Sequence, residues 1–474
     1  MPQLLPDQQG KSDADEVCLG WPVSCTMAGR MSRGVDVVVL GGGVAGLAAA
    51  RACHDANARV VILEARDRIG GRILTERDRD SSRPIELGAE FVHGQARELQ
   101  VHLAAAGLRV LDVAGRHWRS TAHGLRPEDH FWSKLQRVMR HLSEDMRPDR
   151  SFARFLEGRP GGGRANEARR LAAHFVEGFQ AADLRRVSAR SLAGEGSPSG
   201  DPEAQRLGRI VDGYGAFIDA FAEPVSRLVR TRCVVTRVRW SRGQVTVDAR
   251  TGAGRRASFS ARAAIVALPL GILLLRPGSR GHVGFEPVPG RLSAALAGLA
   301  VGHATRVTLQ CREPFWEKAR RSATAREESL ATLGFLHAPG ESFPVWWTQY
   351  PERTPWLVAW AAGPHAPALG ALPPTALRRQ MVGTLARISG LPARAIGRQI
   401  ANIWRHGWDT DPFARGAYSY AIVGGAAAPA LLQRPVDDTL FFAGEATVSD
   451  GRIGTVDGAL ASGERAARQV LRAL

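Results

Sequence analysis

The sequence predicts an α/β fold in which a Rossmann-type parallel sheet is interleaved with a second, α+β domain. Three observations lead there. Residues 34–64 read as strand, glycine turn, helix and second strand, the order of a βαβ unit. A further apolar strand of the same kind, Ala263 to Leu268 (ended by Pro269), returns much later in the chain. After it, residues 288–400 hold strand patterns at Arg306 to Gln310 and Leu357 to Trp360, and a helical one at Thr375 to Ser389.

The first unit carries its chemistry in its turn. Val35 to Leu40 runs into Gly41-Gly42-Gly43-Val44-Ala45-Gly46, an Ala/Leu-rich helix follows, and Val60 to Leu63 ends in Glu64. Gly41 permits the tight turn, Gly43 lets the backbone approach a pyrophosphate, and Gly46 lets helix and strand pack closely. The first N–H groups of the helix, at Val44 and Ala45, point with its positive dipole end at the phosphates. Glu64 stands at about the 20-residue spacing expected of a ribose acceptor and would repel a 2′-phosphate. From residue 95 to about 202 the pattern turns helical, with amphipathic helices expected at His130 to Met146 and Glu167 to Leu184 and flexible loops at 159–163 and 194–200. Strands are expected again at Arg232 to Arg239 and Gln244 to Val247.

Bulk properties narrow the function class. A chain of 474 residues buries about three-quarters of its unfolded surface, ample for two domains. No apolar run approaches the roughly 20 residues a membrane span needs. Net charge is +17, but of 63 basic residues only Lys11, Lys134 and Lys318 are lysines, and the arginines are scattered, not clustered. With no nucleic-acid motif beside it, that charge predicts no nucleic-acid partner, and it disfavours long-range capture of a polycation. The five cysteines have neither metal nor disulfide-framework spacing, which predicts a cytoplasmic protein without a metal site. Residues 1–31 read as a disordered extension, with Met27 and Met31 as alternative starts.

Several further motifs lie in a fixed order: Ala65-Arg66-Asp67-Arg68-Ile69-Gly70-Gly71-Arg72, Glu86-Leu87-Gly88-Ala89-Glu90-Phe91-Val92-His93-Gly94, Gly213-Tyr214-Gly215-Ala216, Gly416-Ala417-Tyr418-Ser419-Tyr420, Phe441-Phe442-Ala443-Gly444-Glu445-Ala446 and Gly454-Thr455-Val456-Asp457-Gly458. Together they resemble the flavin-containing amine oxidase family, which includes monoamine and polyamine oxidases and flavin histone demethylases. The resemblance implies FAD in a glutathione-reductase-like domain (32–94, 203–287 and 401–474) and a substrate domain (95–202 and 288–400). It assigns FAD contacts to Gly41, Gly43, Val44, Ala45, Gly46, Glu64, Ala65, Arg66, Gly70, Gly71, Arg72, Leu87, Gly88, Ala89, Glu90, Val235, Trp408, Gly444, Glu445, Thr455 and Val456. It also implies hydride transfer from an amine-bearing carbon to the flavin, with an amine and oxygen or another electron acceptor as partners.

Four positions carry the expected chemistry, and some depart from the family. Tyr418 falls on one aromatic position of the substrate cage, and Thr455 stands where monoamine oxidases place the second. Ala417 replaces the cysteine that tethers FAD in those enzymes, so the flavin is expected to be non-covalent. Arg306 stands where most relatives carry a lysine, upstream of the Phe315-Trp316 pair; a planar guanidinium is not an ammonium point charge, which puts oxygen reactivity in question. His93 matches a histidine near the flavin of polyamine oxidases. Glu90, His93, Glu177 and Asp183 are the groups that could receive a cationic substrate, with a solvated helix face the plainer reading of Glu177 and Asp183. The alternatives within the fold are an L-amino-acid oxidase and a carbon–carbon desaturase like protoporphyrinogen oxidases and carotenoid desaturases; outside enzymes, a flavin-stabilised binding protein.

Overall fold

Valine-rich strands buried on both faces make the centre of the first sheet. Val35–Leu40 and Val60–Leu63 pair in parallel, Val38 beside Val61, and Val35–Leu40 pairs on its other side with Arg256–Val266. Such continuous apolar runs suit a sheet covered on both sides. In the computed structural model the described residues are 35–113, 115–194, 206–325 and 327–474; the expected extension 1–31 and residues 195–200 of the expected loop lie outside them. Across the sheet the order is Val229–Arg230, Val60–Leu63, Val35–Leu40, Arg256–Val266, Gln244–Thr251, Cys233–Ser241 and Gly284–Glu286, with Leu440–Phe442 also on Arg256–Val266. The middle of the chain contributes an antiparallel meander and the far end a parallel strand. Helices Val44–Asp55 and Val456–Ala473 lie on one face, so close that a Cβ at Gly463 would come within 2.2 Å of the Ala45 carbonyl oxygen.

The second sheet runs Ile400–Trp404, Ala304–Cys311, Trp356–Ala362, Val345–Thr348, Leu333–His337, Arg116–Thr121 and Gly124–Pro127. It is antiparallel except where Leu333–His337 meets Arg116–Thr121. Behind it, Pro374–Ser389 buries Leu377, Met381, Leu385 and Ile388, one helical stripe, and ends at Gly390 in the left-handed conformation (φ +70°).

Several elements differ from expectation in their bounds. The helix predicted over His130 to Met146 spans Phe131–Met139: beyond it Ser143 Oγ accepts the Asp145 N–H at 3.1 Å, a local bond that competes with the helical ladder. The one predicted over Glu167 to Leu184 spans Asn166–Phe179, because Ala181 takes a positive φ of 51° and Asp183 turns to accept the Arg185 N–H. In the same way Gln244 to Val247 extends to Thr251 as the second arm of a hairpin turned at Gly243. The Gly213-Tyr214-Gly215-Ala216 motif opens a helix whose first N–H groups are received by Glu86 (2.6 Å from Tyr214 N) and Thr75 Oγ1 (2.8 Å from Gly215 N). Burial pushes the Glu86 carboxyl up to about 7.

Candidate active site

A cavity of about 590 Å³ runs from the tips of the first sheet to the front of the second. The residues picked out from the sequence as cofactor or catalytic candidates line it, except Gly46. Gly46 works one layer back: a Cβ there would sit 1.9 Å from the Gly41 carbonyl oxygen, and Gly41 itself turns at φ +104°. The helix Val44–Asp55 has no side-chain cap, and its first turn opens on the cavity at Val44 and Ala45. Its orphan N–H groups therefore face open space. Glu64 is buried and accepts the N–H groups of Gly42 (2.7 Å) and Arg66 (2.9 Å), which fixes its carboxylate beside the cavity. Arg66 pairs with Asp411 at 2.8 Å and lies over the Phe413 ring. Burial works to raise the Asp411 carboxyl, but His406 and Arg66 outweigh it and hold it well below the usual range.

A charge chain ties this end to the Tyr418 side. Arg72 donates to Glu445 (2.9 Å) and to the Ala417 carbonyl (2.6 Å), and Glu445 in turn accepts the Ser419 hydroxyl (2.6 Å) and N–H (3.2 Å). The residues flanking Tyr418 are thus fixed on both sides. Trp408 donates to the Leu87 carbonyl at 2.8 Å, packing under the Leu87-Gly88-Ala89 segment. Thr455 has a structural duty: its hydroxyl donates to the Arg452 carbonyl (2.7 Å) and accepts the Gly458 N–H (3.0 Å), capping helix Val456–Ala473. The second cage position thus holds a helix cap, and the walls near Tyr418 come from elsewhere.

Arg306 and Glu90 correct each other's expected roles. Arg306 is 6% exposed, its Nη1 lies 2.7 Å from Glu90 Oε2, its Cζ stands 5.5 Å above the Trp347 ring, and its Nε has no hydrogen-bond partner among the described residues. Glu90 also accepts Arg209 Nε at 2.8 Å and Trp347 Nε1 at 3.1 Å. Burial would raise the Glu90 carboxyl, but Arg306 and Arg209 more than cancel that and keep it below the ordinary value. Its charge is matched twice over, so Glu90 has none left to attract a cationic substrate.

The end of the cavity at Tyr418 is aromatic. Tyr418 is half-buried and donates its hydroxyl to the Phe179 carbonyl at 2.5 Å; burial, then Glu445, raises its phenol. His93 meets Phe179 edge-on at 5.5 Å, and burial lowers its imidazole to about 4, so it is neutral at physiological pH. Trp360 donates to the Gly178 carbonyl (2.9 Å) and stands 6.0 Å from Trp347. Glu177 and Asp183 do not line the cavity. Sequence reading missed Phe175, Phe179, Trp347 and Trp360. A signal existed for two of them: Leu171, Phe175 and Phe179 form a second apolar stripe beside the buried Ala168, Ala172 and Val176, more than one packed face requires.

The family model described as flavin containing amine oxidoreductase matches residues 44–471. The chain belongs to that family. Polyamine oxidase 2 of Arabidopsis thaliana is 29% identical over 94% of this chain and 90% of its own. Lysine-specific histone demethylase 2 of Homo sapiens is 25% identical over 92% of this chain, which spans 53% of that protein. Among solved structures, putrescine oxidase superposes with a TM-score of 0.75 at 22% identity, covering 92% of this chain and 99% of that one. Cyclohexylamine oxidase from Brevibacterium oxydans gives 0.74 at 21%, covering 93% and 99%. The fold class expected from the sequence, and an FAD-dependent enzyme that oxidises amines, both follow from that membership. Among the described residues no helix is long and apolar enough to cross a membrane.

Proposed function

We propose that the glycine-lined end of the cavity holds FAD non-covalently and that the aromatic end aligns a primary or secondary amine against it. The residues fit the cofactor: an uncapped helix start at Val44 and Ala45 suits a pyrophosphate, and the fixed Glu64 carboxylate suits a ribose diol. Ala417, a cavity residue with only a methyl side chain, offers no atom for a covalent link. The chemistry a bound flavin supplies is acceptance of a hydride from the carbon bearing the amine, whose nitrogen gives up a proton and keeps the double bond as an imine that water hydrolyses.

The protein's part is orientation and exclusion of water. Tyr418, hinged to the Phe179 carbonyl, gives a fixed ring wall, and neutral His93 places no competing cation beside the amine. Arg306, clamped by Glu90, is a buried cation facing the cavity and the group we assign to tuning reoxidation by oxygen or another acceptor. Buried, unbridged thiols at Cys53 and Cys311 support a reducing, cytoplasmic setting.

The observation that carries this reading is the continuity of phosphate cradle and aromatic wall in one cavity. The purified protein is expected to be yellow, to release intact FAD on acid precipitation, and to bleach under anaerobic addition of an amine. Flavin left in the pellet sinks the non-covalent reading; a flavin that no amine bleaches sinks the catalytic one. Arg306→Lys is expected to speed reoxidation while leaving anaerobic reduction nearly unchanged, since a compact ammonium can orient a water toward the flavin, whereas the planar guanidinium is tied to Glu90 through Nη1. Equal reoxidation rates would remove Arg306 from the oxygen chemistry.

A further inference from the structure

The helix Asn166–Phe179 buries Ala168, Ala172 and Val176 and turns Arg170, His174, Phe175 and Phe179 to the cavity. Because the Phe179 carbonyl receives the Tyr418 hydroxyl, that end of the helix marks the amine position. At 1.5 Å of rise per residue, His174 lies about 7 Å and Arg170 about 13 Å further along. The walls between are aromatic: Phe175 stacks on Phe179 at 5.0 Å, and Trp132 meets Phe175 edge-on at 6.2 Å. An apolar corridor of roughly 10 Å therefore separates the amine from the distal end.

Charge at the distal end is positive. Glu128 is shared by Lys134 (2.7 Å) and Arg119 (3.5 Å), and Glu167 by Arg119 (2.6 Å), Lys134 (3.3 Å) and Arg126 (3.5 Å). Arg170, exposed at the cavity wall, has no hydrogen bond or ion pair among the described residues. The histidines add no negative charge to offset this: His117 and His337 bond to each other at 3.0 Å, and burial, with Arg119 and Arg170 adding to it, lowers the His174 imidazole. Of these groups Glu128, Arg119 and Arg170 line the cavity, one carboxylate against two guanidiniums. A second ammonium arriving there would meet net positive charge, whereas an anion would find an unpartnered guanidinium. The rival receptor for a cation is Glu128 Oε2, buried and without a hydrogen bond.

We propose that the distal end is an anion subsite, so that the preferred substrate is an amine carrying a carboxylate about 10 Å from its nitrogen, received by Arg170 with Arg119 behind it, and not a diamine or polyamine. The inference rests on reading the Tyr418 end as the amine site. It differs from an L-amino-acid oxidase clamp in that the carboxylate lies a corridor's length from the reacting carbon.

The test uses the FAD-loaded protein and three probes of equal length: an eight-carbon ω-amino acid, the eight-carbon α,ω-diamine and octylamine. Anaerobic flavin reduction is expected to give an apparent Kd at least about tenfold lower for the amino acid than for the diamine, and Arg170→Glu is expected to reverse that order. Octanoate binding by calorimetry examines the subsite without turnover, and should weaken by at least about tenfold in Arg170→Glu. A diamine that binds more tightly to the wild type, or octanoate that fails to bind or ignores the Arg170→Glu change, overturns the proposal. If octanoate responds as expected while no amine bleaches the flavin, the anion subsite stands and the amine reading falls.

Discussion

At its glycine-lined end, the proposed nucleotide end, the cavity is walled by backbone and closed ion pairs; at the proposed amine end it is walled by aromatic side chains drawn from separate elements. Gly41, Gly43, Val44 and Ala45 come from one turn, and Glu64 and Arg66 from the strand end beside it. Tyr418, Phe179, His93 and Trp360 come from four places in the chain and meet only through tertiary packing. A wall of backbone tolerates little change: a Cβ added at Gly41 or Gly88 would meet a carbonyl oxygen at 2.8 or 1.9 Å, main chain that cannot move aside. A wall of rings can be re-cut by exchanging one side chain. Substitutions at the two ends should therefore fail differently, the first losing cofactor or fold and the second losing rate.

The largest effect is expected where the ends join, at the Glu90 cluster. Glu90→Gln keeps the shape but leaves the guanidiniums of Arg209 and Arg306 buried without their carboxylate. Removing one partner of such a buried cluster costs about 3–5 kcal/mol. Chemical denaturation of the FAD-loaded variant should show that loss; a change below about 1 kcal/mol would mean that the arginines find other partners and the cluster does not bind the two ends together.

Glu64→Ala comes next and tests the nucleotide end. It removes the expected ribose acceptor and also orphans the buried Gly42 N–H. FAD affinity should fall by roughly 1.5–3 kcal/mol, about 10- to 150-fold, by the scale of charge-assisted hydrogen bonds. Titration of the apoprotein with FAD measures it, and the rate of amine oxidation at saturating FAD should be nearly unchanged. A rate loss at saturation would show that the two ends are not separable.

The same division explains how much of the cavity is legible in the sequence. The phosphate turn and its acidic partner are local: their spacing along the chain is their geometry, so Gly41 to Glu64 was legible residue by residue. Tyr418 and Arg306 were legible only through family resemblance, because nothing within their own segments says what faces them. Their partners were not legible at all. That Glu90 is spent on Arg306 and Arg209, or that Thr455 caps a helix, depends on residues brought together from far along the chain. Helix ends were lost for a nearer reason: Ser143 and Asp183 bond to their own backbone and stop a periodic pattern that continues in the sequence.

The smallest effect separates ring from hydroxyl at the amine end. Tyr418 offers a flat surface to the cavity and a hydroxyl to the Phe179 carbonyl. If the ring is what orients the amine, Tyr418→Phe should slow anaerobic flavin reduction by less than about tenfold, the lost bond being worth roughly 0.5–1.5 kcal/mol. Tyr418→Ala, which removes the wall, should slow it by about a hundredfold, because small misplacements of reacting atoms cost that much. FAD content should be unchanged in both, since the ring holds no part of the phosphate cradle. Were Phe as slow as Ala, the hydroxyl and its tether to the helix Asn166–Phe179 would be setting the geometry, and the amine end would depend on a hydrogen bond much as the nucleotide end does.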